Sequence, residues 1–138
     1  MTAQTALDSG LRILVIDDEP FVQAVTINLL QQLGYQHIET ASDGADALSL
    51  MQNPAAPFGL IICDLNMPVM DGFDFIYALQ SLNYPGALIV LSSETQQQRS
   101  EAVELGIACG LKVLGALRKP LELEALQDVL EKYYALPP

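Results

Sequence analysis

The sequence is short of positive charge. Six Lys and Arg stand against 17 Asp and Glu in 138 residues, a formal net charge of -11. Nucleic-acid-binding faces need clustered Lys and Arg, so the composition argues against direct nucleic-acid binding. Histidine is nearly missing: His37 stands alone and reads as a surface residue. Cysteine is scarce too. Cys63 and Cys109 make no CxxC, no metal-type spacing and no nucleophile–His pairing, and they read as reduced core thiols. No apolar run reaches the ~18 residues of a membrane span. The first ten residues lack the basic and apolar regions of a secretory signal. Together these absences predict a cytoplasmic chain with no membrane contact. No Gly-x-Gly-x-x-Gly follows the first apolar run, which speaks against a dinucleotide site. No internal repeat or long linker divides the chain.

What is present is a globular composition, 51% hydrophobic and 17% charged. Residues 1–10 read as a flexible leader and 11–138 as one domain. Leu11–Ile16 and Phe58–Cys63 are continuous apolar runs, the pattern of strands covered on both faces. Gln36–Thr40, Ala87–Leu91 and Lys112–Leu117 supply three more strands. Between them lie helical stretches. One opens at Pro20 with Val22, Val25, Leu29 and Leu33 on its apolar face. Ala45–Gln52 follows, capped by Ser42 or Asp43 and broken at Asn53–Pro57. Gly72–Leu82 has Phe73, Ile76 and Leu79 or Gln80 along one side. Ser93–Cys109 is polar in its first half, and Leu121–Ala135 turns Leu123, Leu126, Leu130 and Tyr133 inward. Five βα repeats predict an α/β fold, a flavodoxin-like (βα)5 doubly wound parallel sheet in the order 2-1-3-4-5.

In that order the first and third strands are neighbours. The first ends on Asp17 and Asp18, the third on Asp64, so three acids meet at the carboxyl edge where such sheets bind ligands. At ~5 Å and an effective dielectric near 20, each pair of carboxylates repels by about 3 kcal/mol. A counter-charge is required. Mg²⁺ fits, as a hard ion with oxygen ligands and retained waters. The expected ligands are Asp18, Asp64 and the backbone carbonyl of Asn66, with Asp17 acting through a water. A carboxylate can also attack phosphorus to give an acyl phosphate, which makes Asp64 the candidate phospho-acceptor. Lys119, after the fifth strand, can supply positive charge. Ser92, after the fourth, can offer a hydroxyl to a phosphoryl oxygen.

Four segments carry a family resemblance. They are Ile16-Asp17-Asp18-Glu19-Pro20, Cys63-Asp64-Leu65-Asn66-Met67-Pro68-Val69-Met70-Asp71-Gly72, Leu91-Ser92-Ser93 and Arg118-Lys119-Pro120. The chain resembles, from about Leu11 to Tyr134, the receiver domain of bacterial two-component response regulators. The resemblance implies phosphorylation of Asp64 by a sensor histidine kinase or phosphotransfer protein, with Mg²⁺ required. It implies a cis Lys119–Pro120 bond. It also implies that the domain is no enzyme toward an external substrate, and catalyses only its own phosphoryl transfer and loss. Polar residues at Asn66 and Glu94 imply self-dephosphorylation within minutes. The segment Gly110–Leu121 resembles receivers joined to an EAL-type cyclic-di-GMP phosphodiesterase, which implies a downstream effector. Self-association as a homodimer stays open.

The chain also departs from the family pattern. An aromatic usually stands three residues before the Lys, and here that position is Ala116. The hydroxyl residue is Ser92, where Thr is commoner. The stretch from Ser92 to Lys119 is several residues longer than in chemotaxis-type single-domain members, with the extra length expected around Ala108–Val113. These departures keep an alternative in view: an interaction module that works without phosphorylation. A haloacid-dehalogenase-type phosphatase is a third reading. It needs Asp-x-Asp after its first strand, whereas this chain has Asp17-Asp18-Glu19.

Overall fold

The computed structural model describes residues 10–52, 57–67 and 69–136. The leader, the break at 53–56, Pro68 and the closing Pro137-Pro138 lie outside the described residues. Five strands, β1 (Arg12–Ile16), β2 (His37–Ala41), β3 (Leu60–Asp64), β4 (Ala87–Ser92) and β5 (Lys112–Arg118), alternate with five helices. The helices are α1 (Pro20–Gln32), α2 (Gly44–Leu50), α3 (Gly72–Ser81), α4 (Gln96–Ala108) and α5 (Leu123–Tyr133). All strand pairs are parallel and the order is β2-β1-β3-β4-β5, as the βα pattern predicts. Among the described residues no helix is long and apolar enough to cross a membrane.

The central strands are apolar on both faces because both faces are covered. Ile13, Val15, Leu60, Ile62, Ile89 and Leu91 pack with Leu30, Leu126 and Leu130 of α1 and α5. Leu14, Ile16, Ile61, Cys63, Leu88 and Val90 pack with Phe75, Ile76, Leu79 and Ala102 of α3 and α4. Burial of each such side chain contributes roughly 1.5–3 kcal/mol.

Three helix faces differ from their expected centres. In α1, Val22, Val25 and Leu29 are only half-buried, while Thr26 and Leu30, and Leu33 at the C-cap, are buried. Thr26 tolerates burial because its hydroxyl donates to the Val22 carbonyl at 2.9 Å, so no polar atom is stranded. In α3 the buried positions are Gly72, Phe75, Ile76 and Leu79, and Phe73 is half-buried. In α5 the innermost residues are Leu126, Val129 and Leu130, with Leu123 and Tyr133 half-buried.

The caps set where the helices begin. Asp43, not Ser42, caps α2 by accepting from the Asp46 N–H at 2.8 Å. Asp71 does the same for α3. Thr95 caps α4 by accepting from the Gln98 N–H, so this helix begins three residues later than the expected Ser93. Gly34, with φ of 102°, closes α1, and the Tyr35 N–H reaches back to the Leu30 carbonyl. The pairing of β4 with β5 contains a bulge. Leu88 pairs with Val113 and Ile89 with Gly115, which leaves Leu114 unopposed.

One glycine holds the turn after β3 against the sheet. A Cβ on Gly72 would lie 2.7 Å from Leu65 Cα and 2.9 Å from the Asp64 carbonyl oxygen, both backbone atoms that cannot swing aside. Gly72→Ala is therefore expected to cost about 1–3 kcal/mol, the usual penalty for overpacking, measured as a lowered midpoint in denaturant unfolding.

Candidate functional site

Strand register assembles the site. Ile16 pairs with Cys63, so the residues that follow, Asp17 and Asp64, come side by side at the carboxyl edge. The Asp17 N–H is anchored on the Ala41 carbonyl at 3.1 Å, and Leu65 N–H on the Leu91 carbonyl at 2.9 Å. The Lys119 N–H donates to the Ser92 carbonyl at 3.0 Å, which carries the β4–β5 pairing one step past the strands and sets Lys119 beside Ser92. The Lys119–Pro120 bond is cis.

Asp17, Asp64 and Ser92 are all buried. Lys119 Nζ lies 2.8 Å from Asp17 Oδ2 and 3.1 Å from Asp64 Oδ2, bridging the two acids. Each carboxylate uses its other oxygen on a local turn. Asp17 Oδ1 accepts from the Glu19 N–H at 2.9 Å, and Asp64 Oδ1 from the Asn66 N–H at 3.1 Å. Asp18 and Glu19 are exposed, yet one carboxylate oxygen from each comes together with one from Asp17, all within 4.8 Å of one another. An open cleft of about 470 Å³ is lined by Asp18, Leu65, Asn66, Met67, Asp71, Phe73 and Gln98.

The electrostatics follow from burial. Burial raises the Asp64 pKa and the neighbouring Asp17 charge raises it further; the Asn66 N–H and Lys119 pull it down without cancelling the rise. For Lys119, burial works against the charge, but hydrogen bonding to Asp17 and the field of Asp64 outweigh it and raise the pKa. Cys63 is pushed up by burial and then by Asp64, which leaves it an inert thiol.

The donor set suits a divalent cation. Among the described residues, Asp17 Oδ2 is the buried polar atom without a well-formed hydrogen bond, the Lys119 ammonium being its ion-pair partner. A buried carboxylate oxygen served by one cation, next to the Asp18 and Glu19 carboxylates, is the kind of hard oxygen donor that Mg²⁺ takes. Asp17, Asp64, Lys119 and Ser92 are thus brought together around one point, Asp18 and the Asn66 backbone lie at its rim, and Glu19 joins the acids. Three contributors went unread in the sequence: Glu19, Gln23 and Gln98. Gln23 Nε2 donates to the Asp17 carbonyl at 2.6 Å. Gln98 Oε1 accepts the Ser92 hydroxyl at 2.5 Å. The signal for Gln98 was the pattern Thr95-Gln96-Gln97-Gln98, a capping-box sequence.

Fold and site together define a flavodoxin-like doubly wound domain with an acidic, cation-suited pocket at its topological switch point. Residues 13–131 match the family model of the response regulator receiver domain, and the chain belongs to that family. It is 35% identical over 128 residues to the cyclic di-GMP phosphodiesterase RocR of Pseudomonas aeruginosa, covering 92% of this chain and 32% of RocR. It is 28% identical over 134 residues to the chemotaxis protein CheY-3 of Vibrio cholerae, covering 95% and 97% of the two chains. The chain thus spans about a third of the length of RocR but nearly all of CheY-3. Among solved structures, the Vibrio cholerae chemotaxis protein CheY4 superposes with a TM-score of 0.72 at 33% identity, over 89% of this chain and 98% of that one. The chain is therefore a receiver domain of the two-component type, a family that typically uses Mg²⁺ and phosphoaspartate.

The raised Asp64 pKa fixes the sign of a pH effect. A carboxyl easier to ionise unfolded than folded costs stability once ionised. That cost appears as pH rises from the ordinary value of 3.8 through the raised folded value, and is constant above it. Without Mg²⁺, Asp64→Asn is expected to be more stable than the natural chain by about 1–3 kcal/mol near neutral pH. The difference should close as pH falls through the carboxyl range, read from paired denaturant melts.

Proposed function

We propose that Asp64 is the phospho-acceptor of this receiver domain, with Lys119 and Ser92 as the groups that receive the phosphoryl charge. The observation that carries the reading is the Lys119 ammonium held between two buried carboxylates, 2.8 Å from Asp17 and 3.1 Å from Asp64. A lysine so placed offsets one of the two buried negative charges at rest and is in position for added negative charge.

The donor class is a phosphohistidine on a sensor histidine kinase or phosphotransfer protein; receiver domains interact with such proteins. An oxygen of the Asp64 carboxylate bonds to phosphorus, the P–N bond breaks, and the electron pair leaves with the imidazole. The acyl phosphate carries about two negative charges, one more than the ionised carboxylate it replaces. Lys119, already within reach of Asp64 Oδ2, follows the charge, and the Ser92 hydroxyl turns to a phosphoryl oxygen. Asp17, Asp18, Asp64 and the Asn66 carbonyl would hold Mg²⁺, with Glu19 adjacent. When bound, the ion neutralises charge on the phosphoryl oxygens. The Asn66 and Glu94 side chains are exposed beside the site, where they can orient an attacking water.

A downstream EAL-type phosphodiesterase is the proposed output. It is supported by the sequence of β5 and its flanks and by the relation to RocR. The chain itself acts on no external substrate in this reading, and works in the cytoplasm where a kinase can reach it. An interaction module indifferent to phosphate explains Ala116 but gives no reason to bury two carboxylates around one lysine.

Incubation with acetyl phosphate and Mg²⁺ should give a labile mass adduct. The adduct should vanish with a chelator and in Asp64→Asn; an unmodified natural chain under these conditions would overturn the assignment. The adduct should decay within minutes. Replacing Asn66 and Glu94 together with apolar residues should lengthen its half-life, followed by phosphate-affinity gel.

A further inference from the structure

Helix α4 begins with half of a capping box. Thr95 caps the helix, and its side chain accepts the Gln98 N–H at 3.1 Å. In the complete motif the third residue of the helix, here Gln98, reaches back to the N–H of the cap residue. That second bond is not made. Gln98 Oε1 instead takes the Ser92 hydroxyl at 2.5 Å, and the Thr95 N–H has no partner among the described residues. The hydroxyl has one proton. Its oxygen already accepts the Glu94 N–H at 2.9 Å, and its other near acceptor, Asn66 Oδ1, is 3.4 Å away. When Ser92 gives that proton to a phosphoryl oxygen, it must release Gln98.

We propose that Gln98 is a two-position latch, held by Ser92 in the unphosphorylated domain and returned to the Thr95 N–H as the missing half of the cap when Ser92 turns to the phosphoryl group. The inference rests on the phospho-acceptor reading and deepens it: Gln98 is a positioning residue that transmits the state of Ser92 to the first turn of α4. Arg99 keeps the two alternatives within reach. Its guanidinium donates to the Glu94 carbonyl at 2.8 Å and lies 3.4 Å from the Ser92 carbonyl, so the loop between β4 and α4 stays pinned while one side chain changes partner. The position of Ala116 gives the latch its purpose. A methyl group on β5 has no ring to move inward, so a signal from Ser92 to α4 needs another carrier, and Gln98 is the α4 side chain that touches the Ser92 hydroxyl.

The test is amide hydrogen exchange at Thr95, read by NMR on the full chain with and without beryllofluoride and Mg²⁺. In the natural chain, Thr95 exchange should slow by about three- to ten-fold on addition of beryllofluoride, the effect of one net hydrogen bond. Ser92→Ala frees Gln98, so the slowing should be present before beryllofluoride is added. Gln98→Leu should show fast exchange in both states. Equal Thr95 exchange in the natural chain and Ser92→Ala, or slowing that survives Gln98→Leu, overturns the latch. The two readings fail separately. Shifts of the site amides by beryllofluoride, absent in Asp64→Asn, report the acceptor; the Ser92→Ala arm reports the latch whether or not beryllofluoride binds.

Discussion

One ammonium shared by two buried carboxylates governs this molecule's chemistry. Lys119 sits at the end of β5, Asp17 follows β1 and Asp64 ends β3, so three strands converge on a single ion cluster. Removing Lys119 would leave two buried carboxylates with no counter-charge, because the low-dielectric interior offers no water to replace a lost partner, whereas removing one acid leaves a matched pair. The cluster as it stands is one negative charge in excess, before Asp18 and Glu19 are counted. That excess makes the pocket attractive to a hard cation and reluctant to ionise Asp64 without one.

The doubly wound sheet is what allows such a cluster to exist. The apolar strands bury both faces under helices and leave only their carboxyl ends polar. Parallel pairing then aligns those ends, with Ile16 opposite Cys63 and Leu91 opposite Leu117. Of the departures from the family pattern, Ser92 lies on this edge and Ala116 lies on β5, three residues before Lys119. The polar contacts of Gln98 and Arg99 with the Ser92 region lie at the first turn of α4, next to the strand-end cluster.

Much of this was legible beforehand, for identifiable reasons. Strands flanked on both faces by helices must be apolar throughout, so Ile61-Ile62-Cys63 and Ile13-Leu14-Val15 announced themselves, and the strand order followed. Asp17, Asp64, Ser92 and Lys119 were legible as polar residues ending apolar runs. The misses share a cause. Thr26 is absent from the apolar face expected for α1 because its type is polar, yet its hydroxyl is satisfied by the Val22 carbonyl of its own helix. Gln98 looked like one of several solvated glutamines because nothing local shows where its side chain points.

The sequence by itself determined the order of strands and helices, the acidic strand ends and the family, because alternation of apolar runs and turn residues is a local property of the chain. Only the tertiary structure decided that Lys119 divides its charge between Asp17 and Asp64, that Glu19 joins the acids and that Gln98 holds the Ser92 hydroxyl. Those contacts join residues brought together by sheet register and helix docking. Their directions depend on distances of a few tenths of an ångström that no pattern of residue types encodes.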